Sequence, residues 1–168
     1  MLALLIAAQL STRYIAQPFG QFITGSIVNL ILLVSVFMIG LGGGLTVAVL
    51  SQIFAFFLGL TPGKLLLLVP FIIIANAIFV TVAWLLARKY IKISSLKSAV
   101  FSAVGLIIAS VVKFLFLWVG FALITVQLFG YTAKKPIVTA LSFPQLVTAL
   151  IGSALALAIV PLLKRAIK

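Results

Sequence analysis

Long apolar segments and short breaks alternate along the chain, and the breaks carry glycine, proline or basic residues. Six apolar segments cover residues 2–17, 21–40, 43–60, 64–89, 97–129 and 142–163. At about 1.5 Å of rise per residue, each is roughly long enough to cross a bilayer as a helix. Strands of a membrane barrel would be about ten residues long with strict alternation, which these segments lack. The pattern predicts an all-α integral membrane protein: a single domain over residues 1–168, built as a bundle of six transmembrane helices.

The first segment is the shortest, and it raises the alternative of a cleaved secretory signal. A signal peptide has basic residues before its apolar core. None precedes Leu2, so we expect this segment to remain as the first helix.

Composition narrows the class of protein and the chemistry it can perform. Hydrophobic residues make up 65% of the chain and charged residues 7%, too few polar groups to cover the surface of a soluble globule. The chain has no cysteine, histidine, aspartate or glutamate, so the usual general acids, general bases and metal ligands are missing. We therefore expect no enzyme activity, no metal site and no cofactor in this chain.

Positive charges predict how the bundle sits in the membrane. If the N-terminus is cytoplasmic, seven basic residues fall inside and four outside. The inside set is Arg88, Lys89, Lys92, Lys97, Lys164, Arg165 and Lys168, and the outside set is Arg13, Lys64, Lys134 and Lys135. Because cytoplasmic loops carry an excess of Lys and Arg, both termini are predicted to be cytoplasmic. Topology thus explains the net charge of +12 better than nucleic-acid binding does.

Polar residues within the apolar segments are the candidate ligand-binding residues, because unpaired polar groups in hydrocarbon are costly and usually face a cavity or a partner. The candidates are Lys113, Asn76, Gln52, Asn29, Gln9, Arg13 and Gln145. Each amide alone can be an ordinary interhelical hydrogen bond. Arg13 can equally be a side chain that reaches the membrane interface. Together they match the usual form of a small-molecule pocket, mostly apolar with a few polar anchors.

Lys113 stands in the middle of the apolar run LIIASVVKFLFLWVGF, in a chain without any acidic side chain. Helical spacing puts it on one face with Ser102, Leu106, Ala109, Phe116, Gly120 and Gln127. The small residues of that face predict that it points into the bundle. Three hypotheses remain open: Lys113 is held structurally by amide and carbonyl oxygens, it anchors an electron-rich or anionic substrate, or it pairs with an acid of a partner or a lipid.

Small residues recur in the first segment as A-x-x-x-A at Ala3 and Ala7. Helices in lipid associate through such close-packed small residues. The pattern fits ordinary packing within the bundle, and it also fits a docking surface for another membrane protein.

A resemblance to a known family rests on four stretches of the chain. They are the A-x-x-x-A of Ala3 and Ala7, ITGSIVNLILL at 23–33, VPFIIIANAIFV at 69–80 and SFPQLVTALIG at 142–152. With the order of six short-looped helices, these stretches resemble the substrate-binding S component of an energy-coupling factor (ECF) transporter. The resemblance covers nearly the whole chain and is strongest to a group of small S components whose substrate it does not identify.

The resemblance implies a specific function. S components are six-helix proteins of prokaryotic plasma membranes that bind a vitamin or related micronutrient. They dock on a transmembrane coupling (T) protein driven by two ABC ATPases, and they topple in the membrane to deliver the substrate. Ala3 and Ala7 would form the docking surface. The chain has no phosphate-binding G-x-x-x-x-G-K-[ST] loop, so ATP would be used by the partner ATPases.

One departure from the family bears on the substrate. The S components for thiamine or biotin typically use acidic or paired aromatic residues, whereas this chain has no acid and only two tryptophans, Trp84 and Trp118. A cation held by a carboxylate is excluded, and a neutral or anionic ligand is favoured. The alternatives are a small membrane scaffold or channel subunit. A secondary transporter is a further alternative, but the chain lacks a membrane carboxylate for proton coupling and a convincing internal repeat.

Overall fold

The computed structural model describes residues 1–15, 20–60, 68–89, 91, 96–120 and 143–166. Within these ranges every regular element is a helix, and there are six. In chain order they are α1 (Leu2–Ile15), α2 (Gln21–Ile39), α3 (Leu41–Phe57), α4 (Leu68–Ala87), α5 (Leu96–Val119) and α6 (Phe143–Ala166). The prediction of an all-α membrane protein is confirmed. The parts of the predicted spans at 16–17, 64–67, 121–129 and 142 lie outside the described residues.

The six helices fall into two groups by length. α2, α4, α5 and α6 are long and apolar enough to cross a membrane. α1 and α3 are apolar but shorter, at 14 and 17 residues. At 1.5 Å per residue these two measure about 21 and 26 Å, against about 30 Å for the hydrocarbon core.

The connection between α2 and α3 corrects one predicted boundary. The third segment was predicted to begin at residue 43, after a glycine-rich break at 40–44, but α3 begins at Leu41 and only Gly40 separates the two helices. Gly40 has φ +101°, a conformation that favours glycine. Gly44 lies inside α3 because it faces α2, where a Cβ would lie 2.7 Å from Cβ of Val36. These glycines serve close helix packing as well as the turn.

α2 is the central helix of the bundle. It packs against α1, α3, α4 and α6, while α5 packs against α4 and α6. The contact between α2 and α6 is close because Gly152 faces α2: a Cβ there would lie 2.7 Å from Cβ of Asn29 and 2.8 Å from the backbone oxygen of Ser26. On the same helix pair, a Cβ at Gly25 would lie 2.9 Å from Cγ2 of Thr148. Small residues thus bring the backbones of α2 and α6 together beside Asn29.

The predicted inward face of α5 is confirmed. Its buried residues are Ser102, Gly105, Leu106, Ala109, Ser110, Lys113 and Leu117. Leu117 is buried and Phe116 only partly so, a shift of one position from the predicted face. Gln127 lies outside the described residues.

Two contacts show at which level of the bundle Lys113 lies. Gly105 of α5 packs against Leu86 near the end of α4, and Nζ of Lys164 lies 5.9 Å from the ring centroid of Phe37 near the end of α2. Both contacts mark the end of the bundle that was predicted to be cytoplasmic. Lys113 is eight residues beyond Gly105, about 12 Å further along α5. It therefore lies toward the opposite end.

Candidate functional site

A buried lysine lies where four helices meet. Nζ of Lys113 donates hydrogen bonds to Oδ1 of Asn29 on α2 at 2.6 Å and to Oδ1 of Asn76 on α4 at 2.8 Å. Lys113 is 3% exposed, Asn29 1% and Asn76 2%. The ring of Phe79 lies below the ammonium, with its centroid 5.0 Å from Nζ. We call Lys113, Asn29, Asn76 and Thr148 of α6 the lysine network.

The network reaches α6 through the other end of Asn29. Nδ2 of Asn29 donates to Oγ1 of Thr148 at 3.4 Å, and Oγ1 of Thr148 donates to the backbone oxygen of Gln145 at 3.1 Å. Since the amide nitrogen of Asn29 faces Thr148, its oxygen faces Lys113. The close contact at Gly152 holds this orientation, because it fixes the backbone of α6 against Cβ of Asn29.

The energetics of the network show that Lys113 can be retained in the membrane without a carboxylate. A lysine at the centre of a membrane helix costs about 2.5–3.5 kcal/mol to insert. A hydrogen bond to a charged group contributes about 1.5–3 kcal/mol. The two amide oxygens therefore offset the cost of insertion, and the face of Phe79 adds a weaker cation–π attraction. All of these partners are neutral, so none of them carries a charge that would balance a protonated Lys113.

A second buried polar group comes from α1, and its partners are missing. Gln9 is 0% exposed, and neither its Oε1 nor its Nε2 has a hydrogen-bond partner within the described ranges. One turn later on the same face, Nε of Arg13 is also buried without a partner in those ranges. We call Gln9 and Arg13 the α1 pair. Arg13 is close enough to Lys113 for the two positive charges to repel each other.

Three buried serines behave differently from the α1 pair. The hydroxyls of Ser26, Ser35 and Ser110 donate to the backbone oxygens of Phe22, Leu32 and Leu106 within their own helices. Serine can satisfy itself in this way inside a helix, whereas a glutamine amide needs both an acceptor and a donor from elsewhere. Burial of a polar residue alone is therefore a weak indication of a site, and burial without a partner is a stronger one.

The remaining candidate residues lie in several places. Gln52 is fully buried on α3, a helix that packs against both α1 and α4. Gln145 is partly buried in the first turn of α6 and joins the network only through its backbone oxygen. The structure thus brings Lys113, Asn29 and Asn76 together by direct contact and places Arg13 within electrostatic range. That these residues bind substrate stays a prediction.

Sequence reasoning missed Gly152 and Phe79 as parts of the site. Phe79 is one apolar residue among many in its segment, and nothing in the sequence indicates that its ring faces Lys113. Gly152 had a usable signal, since Thr148 and Gly152 are four residues apart on one face of α6, a spacing typical of close helix contacts.

Ala3 and Ala7 lie away from this site. Both are exposed on the outer surface of α1, as is Ser11 one turn further, so the three form an outward stripe of small residues. The opposite side of α1 carries Gln9 and packs against α2 and α3. As far as the described residues show, the stripe is open to the surroundings of the bundle and available to a partner.

The model of the family described as ECF transporter, substrate-specific component, matches residues 1–164. The chain belongs to this family. Neither a curated protein nor a solved structure matches it. As an ECF substrate-specific component, the chain is a membrane protein of transporter type and a substrate-binding subunit, and the family is not a class of enzymes.

Proposed function

We propose that this ECF substrate-specific component is the high-affinity binding subunit of an importer for a vitamin or related micronutrient, with the substrate held at the lysine network. The observation that carries the proposal is the convergence of Lys113, Asn29 and Asn76 in a chain without any acidic side chain. The network can supply amide donors and one further ammonium proton, because two of the three protons of Lys113 are bound. It lacks the carboxylate that a cationic substrate would need, so a neutral or anionic substrate is favoured.

Delivery would depend on partners in the plasma membrane of a prokaryote. We expect the chain to dock on a coupling (T) protein that is driven by two ABC ATPases, and to topple there to release its substrate. The outward stripe of α1 supports this assignment, because Ala3 and Ala7 are exposed while the opposite side of the helix packs into the bundle. Small side chains allow two membrane helices to approach closely.

Co-purification tests the function as a whole. The tagged chain is expressed with the coupling protein and ATPases of its host, extracted in mild detergent and examined by native mass spectrometry. We expect the coupling protein and two ATPases to co-purify, and the chain to retain one small molecule. Absence of both would contradict the proposal and favour a scaffold or channel subunit.

A matched pair of variants tests the docking surface. Ala7→Leu places a larger side chain on the stripe, so we expect it to reduce recovery of the coupling protein while the small molecule is still retained. Ala154→Leu is the control, because Ala154 is exposed on α6, away from the stripe. Equal recovery of the coupling protein with both variants would contradict docking through Ala7.

A further inference from the structure

We propose that the substrate is an anion, and that its carboxylate or phosphate group binds between the α1 pair and Lys113. This inference rests on the proposed function and deepens it, because it names the chemical class that the site selects. It assigns Gln9 and Arg13 to direct contact with the acid group, and Asn29 and Asn76 to positioning Lys113.

Gln9 supplies the first step, because the bundle buries it without satisfying it. Its side chain is fully buried, and both of its polar atoms lack a partner in the described part of the chain. A buried amide that the protein leaves unpaired is costly, and leucine would fill a similar space without that cost. Ser102, whose buried hydroxyl also lacks a partner there, is different, since a helical serine can turn toward a carbonyl of its own helix. Gln9 therefore indicates a ligand that completes its hydrogen bonds.

The positive charges of Arg13 and Lys113 also favour an anionic ligand. Gln9 and Arg13 lie on one face of α1, α1 packs against α2, and Asn29 of α2 contacts Lys113. At this distance the charges of Arg13 and Lys113 repel each other. The whole chain contains no aspartate or glutamate that could compensate them. Asn29, Asn76 and Phe79 stabilise the ammonium of Lys113 but leave the total charge of the region unchanged. An anion that enters from outside removes this repulsion.

Hydrogen-bond geometry supplies the third step. The two asparagine oxygens take two protons of Lys113, so one proton remains for a ligand. Nε of Arg13 and Nε2 of Gln9 add further buried donors. An acid group has two or three oxygens that only accept, which matches a set of donors from three side chains. A cationic ligand would add a third positive charge and is rejected.

Matched pairs of probes test the charge preference. Thermal unfolding of the purified chain in detergent is followed with pantothenate and panthenol, nicotinate and nicotinamide, biotin and biotinamide, lipoate and lipoamide, and riboflavin 5′-phosphate and riboflavin. Isothermal titration then gives both affinities for each pair that shifts the unfolding. We expect at least one acid member to bind, and its neutral counterpart to bind about tenfold to a hundredfold more weakly, as expected when a charged hydrogen bond is lost. The last pair separates phosphate from carboxylate selectivity.

Variants of the α1 pair test whether Gln9 and Arg13 cause the preference for the acid over its neutral counterpart. We expect Arg13→Gln and Gln9→Leu to reduce the ratio of acid to neutral affinity by about tenfold, because each removes one donor to the acid group. Affinity for the neutral member should change little. The control is Lys97→Met, which removes an exposed lysine at the other end of α5 and should leave the ratio unchanged. A purely structural role of Gln9 and Arg13 would change the two affinities together.

The outcomes separate this inference from the proposed function. Equal binding of acid and neutral members, or no binding of any acid member, would overturn the anion assignment. If the chain still co-purifies with its coupling protein and retains a neutral molecule, the proposed function stands and only the anion assignment fails. A chain that retains no small molecule and no partner would contradict both.

Discussion

Two sets of buried polar side chains in this bundle differ in whether the protein satisfies them. In the lysine network the polar side chains contact one another: the ammonium of Lys113 meets two amide oxygens, and the amide nitrogen of Asn29 meets Thr148. In the α1 pair, Gln9 is equally buried but has no partner within the described ranges. The first set links four helices, whereas the second is carried by one short helix.

The difference separates structural from functional polar groups. A satisfied hydrogen-bond network in a membrane rigidifies the helices that share it. This contribution to stability is a sufficient reason for its polar residues to be present. An unsatisfied buried amide lowers stability and needs another reason to be there. Buried unsatisfied groups are rare in native proteins, and a functional role is one explanation for those that remain. Under the proposed function, the lysine network serves both stability and binding, whereas the α1 pair serves binding alone.

The largest expected effect on stability is that of Lys113→Met. The substitution leaves the oxygens of Asn29 and Asn76 buried without a donor, at a cost of about 1–3 kcal/mol each. We expect a lower Tm of the ligand-free chain in detergent, together with loss of the retained small molecule.

Lys97→Met is the matched control, since it removes an exposed lysine from the same helix. It should leave both Tm and retention unchanged. Retention by Lys113→Met equal to that of the wild type would show that Lys113 has only a structural role.

Gly152→Val should have an intermediate effect, transmitted through the backbone. A Cβ at this position meets Cβ of Asn29 at 2.7 Å and the oxygen of Ser26 at 2.8 Å, so α6 must move away from α2. Overpacking of this kind costs about 1–3 kcal/mol. We expect a lower Tm and weaker substrate binding, because Asn29 moves relative to Lys113.

The control is Gly42→Ala, at a helical glycine whose added Cβ would meet no atom within 4 Å. Alanine is the better helix former by about 1 kcal/mol, so this variant should be at least as stable as the wild type. A Gly152→Val protein with wild-type Tm would contradict the close contact of α2 and α6.

Gln9→Leu should have the smallest effect on stability, and the direction of the change in Tm is what makes this variant informative. Leucine removes an unpaired buried amide, so the Tm of the ligand-free chain should stay the same or rise. A clear fall in Tm would show that Gln9 has a structural partner, as the residues of the lysine network do.

Most of the helical architecture could be predicted from the sequence because the bilayer imposes length and apolarity on each segment. The inward face of α5 followed from its small residues. The start of α3 could not be predicted, because Gly43 and Gly44 look like a break and only the packing of α3 on α2 shows that they are helical. The candidate site divides in the same way. The sequence identified Lys113 and the amides as candidates. Which of them are in contact depends on how each helix is rotated and packed, and a nearly uniform apolar pattern does not specify this.

The most direct test of the central claim is native mass spectrometry of the wild-type chain, Gln9→Leu and Lys97→Met, each purified in the same way from cells. We predict that the wild type and Lys97→Met carry the added mass of one small molecule. Gln9→Leu should be folded, with an unchanged or higher Tm, and should carry that mass at clearly lower occupancy than the wild type. A wild-type chain without bound mass, or a Gln9→Leu chain with the same occupancy as the wild type, would contradict the account.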